Sequence, residues 1–231
     1  EDNVCTITLQ RADVLNAFNN ALTTELAKAL KDASRNTEVR VVVLTGSGRA
    51  FSSGQDLVDL QEKYVPGHEP HLSEDLKKRY DPIVKLIHTM EKPVIASVNG
   101  VAAGAGCSLA LACDMRIASE HASFIEVFVH VGLVPDSGST WTLPRLVGFG
   151  RAMELCCTGR PVKAEEALAI GLVNQVVPSD ELQEATQKLA RKLASLPAKA
   201  ISLTKRLLNQ SFENDFKEQL NQEAFAQETA G

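Results

Sequence analysis

The stretch Pro93-Val94-Ile95-Ala96-Ser97-Val98-Asn99-Gly100-Val101-Ala102-Ala103-Gly104-Ala105-Gly106-Cys107-Ser108-Leu109-Ala110-Leu111-Ala112-Cys113 decides how this chain reads. Its 21 residues carry no charge, and that is about the length of a membrane span. Only Val94, Ile95, Val98, Val101, Leu109 and Leu111 are strongly apolar, however, and Ser97, Asn99, Ser108 and glycines 100, 104 and 106 interrupt them. The pattern argues against a membrane helix. It predicts a buried strand over Pro93 to Val98, a glycine-rich turn over Asn99 to Gly106, and a short apolar helix over Cys107 to Cys113.

The same unit of buried strand and glycine-rich loop occurs once before. Val39 to Thr45 contains Val41-Val42-Val43-Leu44, a run suited to a sheet covered on both faces by helices, and it ends at Gly46-Ser47-Gly48. Val4 to Leu9 reads as a strand, and Leu22, Leu26 and Leu30 line one face of a helix opened by Asn19 or Asn20. Residues 61 to 71, with Pro66, Gly67 and Pro70, read as a surface loop. Helical spacing returns at Leu76, Tyr80, Ile83, Val84 and Ile87, with a restart at Asp81-Pro82. Met115 to Ala118 and Phe124 suggest short strands, Lys163 to Ile170 a helix stopped by Gly171, and Val173 to Val177 a further strand. Beyond it, Ser179 or Asp180 is the cap candidate for a helix carrying Leu182, Leu189 and Leu193; Ala198 to Asn209 forms another, and Phe212, Phe216 and Leu220 recur every fourth residue. The reading is an α/β core over 1–178 and a helical region over 179–231 whose apolar face needs its own core or a neighbouring subunit.

Composition narrows the function classes. With 231 residues, 44% hydrophobic and 23% charged, one domain of this size buries roughly 70% of its unfolded surface and needs neither disulfides nor metals for a core. A net charge of −5 without a basic run argues against nucleic acid. Cysteines 5, 107, 113, 156 and 157 form no C-x-x-C pair, so reduced thiols and a cytoplasmic location are expected. The chain opens at Glu1 with neither a methionine nor an apolar signal segment, and trimmed ends are the expectation.

Several chemical motifs fail on inspection. Gly46-Ser47-Gly48-Arg49-Ala50-Phe51 and Gly104-Ala105-Gly106-Cys107-Ser108-Leu109 start like dinucleotide fingerprints but have Phe51 and Leu109 where the third glycine belongs. Gly106-Cys107-Ser108-Leu109-Ala110 nearly matches a hydrolase nucleophile elbow; Asp114 and His121 follow in a permitted order but lie too near Ser108 in sequence for groups on separate strands. A serine packed at a helix start is the plainer reading. His68, His71, His88, His121 and His130 have no metal-ligand spacing, and no metal site is expected.

Two loops remain, Ala50-Phe51-Ser52-Ser53-Gly54-Gln55-Asp56-Leu57 and Asn99 to Gly106, each following a buried strand. Such turns at equivalent ends of adjacent strands can aim backbone N–H groups at one point, where they stabilise a developing oxyanion. Close strand–helix packing would explain the same small residues. The third element, Gly132-Leu133-Val134-Pro135-Asp136-Ser137-Gly138, is a turn as a bare string. Its chemical alternative puts Asp136 in an apolar pocket walled by Phe128 and Leu133, where desolvation favours proton acceptance.

Together, Arg11 with Leu15-Asn16-Ala17, Arg49 to Leu57, Lys92-Pro93-Val94-Ile95-Ala96, Asn99 to Gly106 and Gly132 to Asp136 resemble the crotonase (enoyl-CoA hydratase/isomerase) superfamily, in order and over nearly the whole chain. The resemblance implies an α/β spiral of ββα units with a C-terminal helical trimerisation region, a homo-trimer or hexamer, and a last helix beyond Gly231. It also implies an acyl-CoA thioester as substrate, with no cofactor because coenzyme A is part of that substrate. Carried over by position, the oxyanion hole is formed by the backbone N–H groups of Gln55 and Ala105. Val14, Ala50, Ser52, Asp56 and Leu57 lie along the coenzyme A moiety, largely through backbone contacts.

Ser108 and Phe128 occupy the substrate-facing positions where hydratases hold water with two glutamates. Neither is a general base, and a missing acid–base residue costs at least ~100-fold in rate. Asp136 falls where dienoyl-CoA isomerases and the ring-epoxide isomerases of phenylacetate breakdown have a catalytic aspartate. Gly132 to Thr140, followed by Trp141-Thr142-Leu143-Pro144-Arg145, is most similar to the 1,2-epoxyphenylacetyl-CoA isomerase subgroup, although Ala12 replaces the customary proline. The expectation is therefore an isomerase with Asp136 as acid and base. Hydration through Asp136 or Glu126, and acyl-CoA binding without turnover, stand as alternatives; Glu126 is expected to point away from the core or into solvent.

Overall fold

The computed structural model describes residues 2–61 and 71–231. β1 (Val4–Leu9) leads through α1 (Asn20–Arg35) to β2 (Val41–Gly46) and β3 (Ala50–Ser52). α2 (Leu57–Gln61), α3 (Leu72–Asp75) and α4 (Asp81–Thr89) precede β4 (Val94–Val98), β5 (Val101–Ala103) and α5 (Ala105–Ala112). Then come β6 (Met115–Ser119), β7 (Ser123–Ile125), α6 (Ser139–Val147), α7 (Phe149–Thr158), β8 (Val162–Lys163), α8 (Ala164–Ala169) and β9 (Gln175–Val177). The helices α9 (Leu182–Ser195), α10 (Ala198–Gln210) and α11 (Phe216–Ala230) follow. The loop expected over 61–71 falls, at residues 62–70, outside the described residues, as does His68.

Successive strand pairs divide between two sheets. β2, β4 and β6 belong to a parallel sheet of order β1-β2-β4-β6-β9, whereas β3, β5 and β7 belong to a second of order β3-β5-β7-β8. Each ββ unit thus advances one step along both sheets, which is the spiral of a crotonase-like α/β fold. The sequence reading merged β5 into its glycine-rich turn. A three-residue strand between glycines carries too little periodicity to register.

Burial accounts for the uncharged runs. Val41, Val42, Val43 and Leu44 are all fully buried because alternate side chains face opposite layers. Val42, Leu44, Val94 and Ala96 pack with Leu26, Leu30 and Ile87 of α1 and α4, while Val41, Val43, Ile95 and Ile117 pack with Leu182, Ala190 and Ala194 of α9. Each of the buried Val, Leu and Ile side chains contributes roughly 1.5–3 kcal/mol of burial. Among the described residues no helix is long and apolar enough to cross a membrane.

Local signals were read with mixed success. Asn19 caps α1 by accepting from Leu22 N at 2.9 Å, and Pro82 lies in the first turn of α4, where its missing N–H costs nothing. Neither Ser179 nor Asp180 caps α9, since a turn closed by Glu181 N on Pro178 O places both before the helix, and Glu181 takes the cap position. The fourfold spacing of Phe212, Phe216 and Leu220 crosses a break before α11. Phe212 instead meets Trp141 edge-on at 6.0 Å, with the Arg145 guanidinium 3.9 Å above the Trp141 ring.

Candidate active site

The two glycine-rich loops pack main chain against main chain. Gly54 has φ of 90°, a value open to glycine, and a Cβ there would lie 2.6 Å from Ala103 O and 3.2 Å from Ala105 N. A Cβ on Gly106 would meet the Ser52 carbonyl. Phe18 pairs with Gln55 as an isolated parallel bridge, its N–H donating to Gly54 O at 2.7 Å and its carbonyl accepting from Asp56 N at 3.0 Å. That pairing engages the residues on either side of Gln55. Among the described residues, the N–H groups of Gln55 and Ala105 donate to no acceptor. Ala105 opens α5, so its N–H is one of the unpaired donors at a helix start. Gly104, with φ of 51°, turns the chain out of β5 into that start and donates to Ile125 O at 2.9 Å.

Two asparagines, Asn16 buried and Asn99 partly buried, support this arrangement. Asn16, in the left-handed region at φ of 55°, donates to Ser47 O and Ala50 O at 2.9 and 2.8 Å and accepts from Arg11 N and Ser47 Oγ. Every hydrogen-bonding valence of its amide is used. Asn99 donates to Gly48 O and Ala50 O at 2.9 and 3.1 Å, joining the first loop to the second.

A narrow cavity opens beside these donors, lined by Phe18, Leu26, Tyr80, Ile83, Ala105 and Ser137. It brings the oxyanion candidate Ala105 and the neighbour of Asp136 to one apolar space. Burial pushes the Asp136 carboxyl above its ordinary acidity range; the Ser137 hydroxyl, donating to Asp136 Oδ1 at 2.8 Å, pulls it back, and the Asp81 charge adds to the rise. Phe128 is buried against Gly104, as expected of a pocket wall, but Leu133 is 39% exposed and turns outward.

The remaining candidates occupy varied settings. Ser108 is buried and donates to Gly104 O at 3.3 Å, a helix-start bond. Asp114 is engaged by Lys205, and His121 is 78% exposed in its side chain, so no Ser108-Asp114-His121 triad forms. Val14 and Leu57 are exposed on the surface. Ala50 and Ser52 are fully buried; Ala50 O is taken by both asparagines, and Ser52 Oγ donates to Asn16 O and accepts from Gly54 N. Asp56 receives Arg11 Nη1 at 2.8 Å and Val58 N at 3.1 Å, which holds its carboxyl below the ordinary range.

Two residues depart from their expected settings. Tyr80, read only as a core position of a helix, donates its hydroxyl to Gln55 Oε1 and has an acidity depressed by burial. Glu126, expected to point outward, is 4% exposed and accepts from Ser139 Oγ at 2.8 Å. Period-two alternation in fact puts Glu126 on the same face as the buried Phe124, so the inward side chain continues the pattern of β7.

Comparison with known proteins places the chain in a family. The family model described as enoyl-CoA hydratase/isomerase matches residues 1–230. The chain is 42% identical over 231 residues to a 1,2-epoxyphenylacetyl-CoA isomerase of Escherichia coli (strain K12), covering 100% of this chain and 88% of that protein. It is 36% identical over 233 residues to a short-chain-enoyl-CoA hydratase of Clostridium acetobutylicum, covering 100% and 86%. The solved enoyl-CoA hydratase of Bacillus anthracis superposes with a TM-score of 0.91 at 36% identity, over 98% of this chain and 86% of that one. The chain belongs to the enoyl-CoA hydratase/isomerase family, whose members carry the crotonase fold.

Proposed function

We propose that this chain is a cofactor-free acyl-CoA isomerase in which Asp136 is the acid–base group and the backbone N–H groups of Gln55 and Ala105 form the oxyanion hole. The observation that carries the reading is a half-buried Asp136 whose neighbour Ser137 lines one cavity with Ala105, with Ser108 and Phe128 at the positions where hydratases hold glutamates.

The thioester carbonyl accepts from the two N–H groups, which makes the hydrogens on the adjacent carbon acidic. Asp136 takes one, and the electron pair moves into an enolate whose charge rests on the oxygen facing the N–H pair. For a 3-enoyl thioester the charge extends to C4, where protonated Asp136 returns the proton and the double bond becomes C2=C3. Atoms balance without an oxidant or a metal. The same enolate chemistry serves the rearrangement of a ring epoxide. Val14, Asp56 and Leu57 are assigned to the coenzyme A moiety, with Ala50 and Ser52 shaping the first glycine-rich loop. The exposed Phe216 and Phe225 of α11 support assembly into a homo-trimer or hexamer, in a cytoplasmic setting.

The test is isomerisation and α-hydrogen exchange in D2O with trans-3-hexenoyl-CoA, a dienoyl-CoA and a ring-derived thioester. Asp136→Asn is expected to abolish both while acyl-CoA binding persists; full activity in that variant overturns the assignment. Hydration is the second reading, favoured by the buried Glu126 carboxyl and by the hydratase relative. Loss of enoyl absorbance from crotonyl-CoA at a rate matching isomerisation would favour it.

A further inference from the structure

The chemistry above leaves Glu126 unused, and its surroundings are unusual for a carboxyl. It is 4% exposed, Oε1 accepts from Ser139 Oγ at 2.8 Å, and Oε2 is buried without a hydrogen-bond partner. Among the described residues no cation pairs with it. The titratable groups facing it are Cys107 of α5, Cys156 of α7 and Asp136. An ionised carboxylate with one free oxygen in that setting bears a far larger desolvation penalty than the neutral acid. Burial accordingly pushes its acidity constant upward; the Ser139 hydroxyl and the Cys107 thiol pull it back, and the Asp136 charge adds to the rise.

Ser139 links this group to the proposed base. Its hydroxyl holds Glu126, while its N–H donates to the Asp136 carbonyl at 3.0 Å. Glu126 also faces Cys107, two residues beyond Ala105.

We propose that Glu126, as a neutral acid, is a positioning residue for Asp136: through Ser139 it fixes the Asp136 turn against α5, and its neutrality keeps a second negative charge from the base. This rests on the isomerase reading. Ionisation of Glu126 would oppose ionisation of Asp136 and loosen the turn.

The experiment measures kcat, KM and the kcat–pH profile for trans-3-hexenoyl-CoA. Glu126→Gln preserves a neutral acceptor for Ser139, so kcat stays within about threefold. Wild-type kcat falls as pH rises through the ionisation of Glu126, on the alkaline side of the Asp136 limb, and this alkaline fall disappears in that variant. Glu126→Leu leaves Ser139 unpaired, so kcat falls about tenfold or more with KM within about twofold. Should Glu126→Leu fail to fold, Ser139→Ala removes the same link and is expected to show the same split of kcat from KM. The proposal is overturned if Glu126→Gln is as inactive as Asp136→Asn, if the link-breaking variant keeps wild-type kcat, or if the alkaline fall survives in Glu126→Gln. Failure of the underlying reading is seen separately, as full activity in Asp136→Asn.

Discussion

A Cβ added to Gly54 would lie 3.2 Å from the nitrogen of Ala105, so the loop bearing one proposed oxyanion donor packs closely against the helix start bearing the other. Gly54→Ala is expected to force them apart, because its Cβ would meet Ala103 O at 2.6 Å and its φ of 90° disfavours any side chain. Misplacing one oxyanion donor costs roughly 100- to 1,000-fold in kcat. Steady-state kinetics on a fold verified by circular dichroism tests this, and wild-type kcat in the variant would contradict it.

The acid limb of kcat/KM should report Asp136. The base must be ionised, and burial raises its ionisation above the ordinary carboxylate range. Activity is therefore full above that raised value and lost as pH falls through it. Ser137→Ala removes a hydroxyl that favours the charged form, so the limb moves to still higher pH. A limb that stays put in Ser137→Ala would assign it to another group.

Tyr80 holds the Gln55 side chain from within the cavity wall. Tyr80→Phe keeps the ring and its edge contact with Phe18, at 6.0 Å, but deletes the hydroxyl. One neutral hydrogen bond corresponds to about 0.5–1.5 kcal/mol. A two- to tenfold loss in kcat with little change in KM is expected. An equal rise in KM would point to substrate contact instead.

Lys205 ties α10 to the core: Nζ donates to Asp114 Oδ2 at 2.8 Å and to Ile87 O at 2.7 Å, and its side chain is 9% exposed. Lys205→Met leaves the Asp114 carboxylate without its cation, a loss of about 3–5 kcal/mol for a buried pair and less for this partly exposed one. Adding Asp114→Asn should restore part of that loss, as read by thermal unfolding. No change in the midpoint of Lys205→Met would refute the role.

Legibility followed the physical range of each signal. The uncharged run at Val41 to Leu44 announced a doubly covered strand because burial on both faces leaves no polar position. Asp136 and the glycine-rich loops were readable because positive-φ turns and a family resemblance mark them in one dimension. The β3–β5–β7 sheet was not, since its strands are three residues each and are stabilised by pairing partners distant in the chain. Tyr80 and Glu126 reach the site only through tertiary packing. A tyrosine at helical spacing and a glutamate after a strand look the same in sequence whether or not they meet Gln55 or Ser139.

The proposed electrophile-activating atoms at Gln55 and Ala105 belong to the main chain, and only proline deletes an N–H. Nearly every single substitution at these two positions keeps the donor and can alter only its aim. Side chains at 108, 128 and 136 can therefore be exchanged to redirect proton handling while carbonyl polarisation is inherited intact. A Ser108→Glu, Phe128→Glu variant would ask the same polarising scaffold to run water addition instead of proton shuttling.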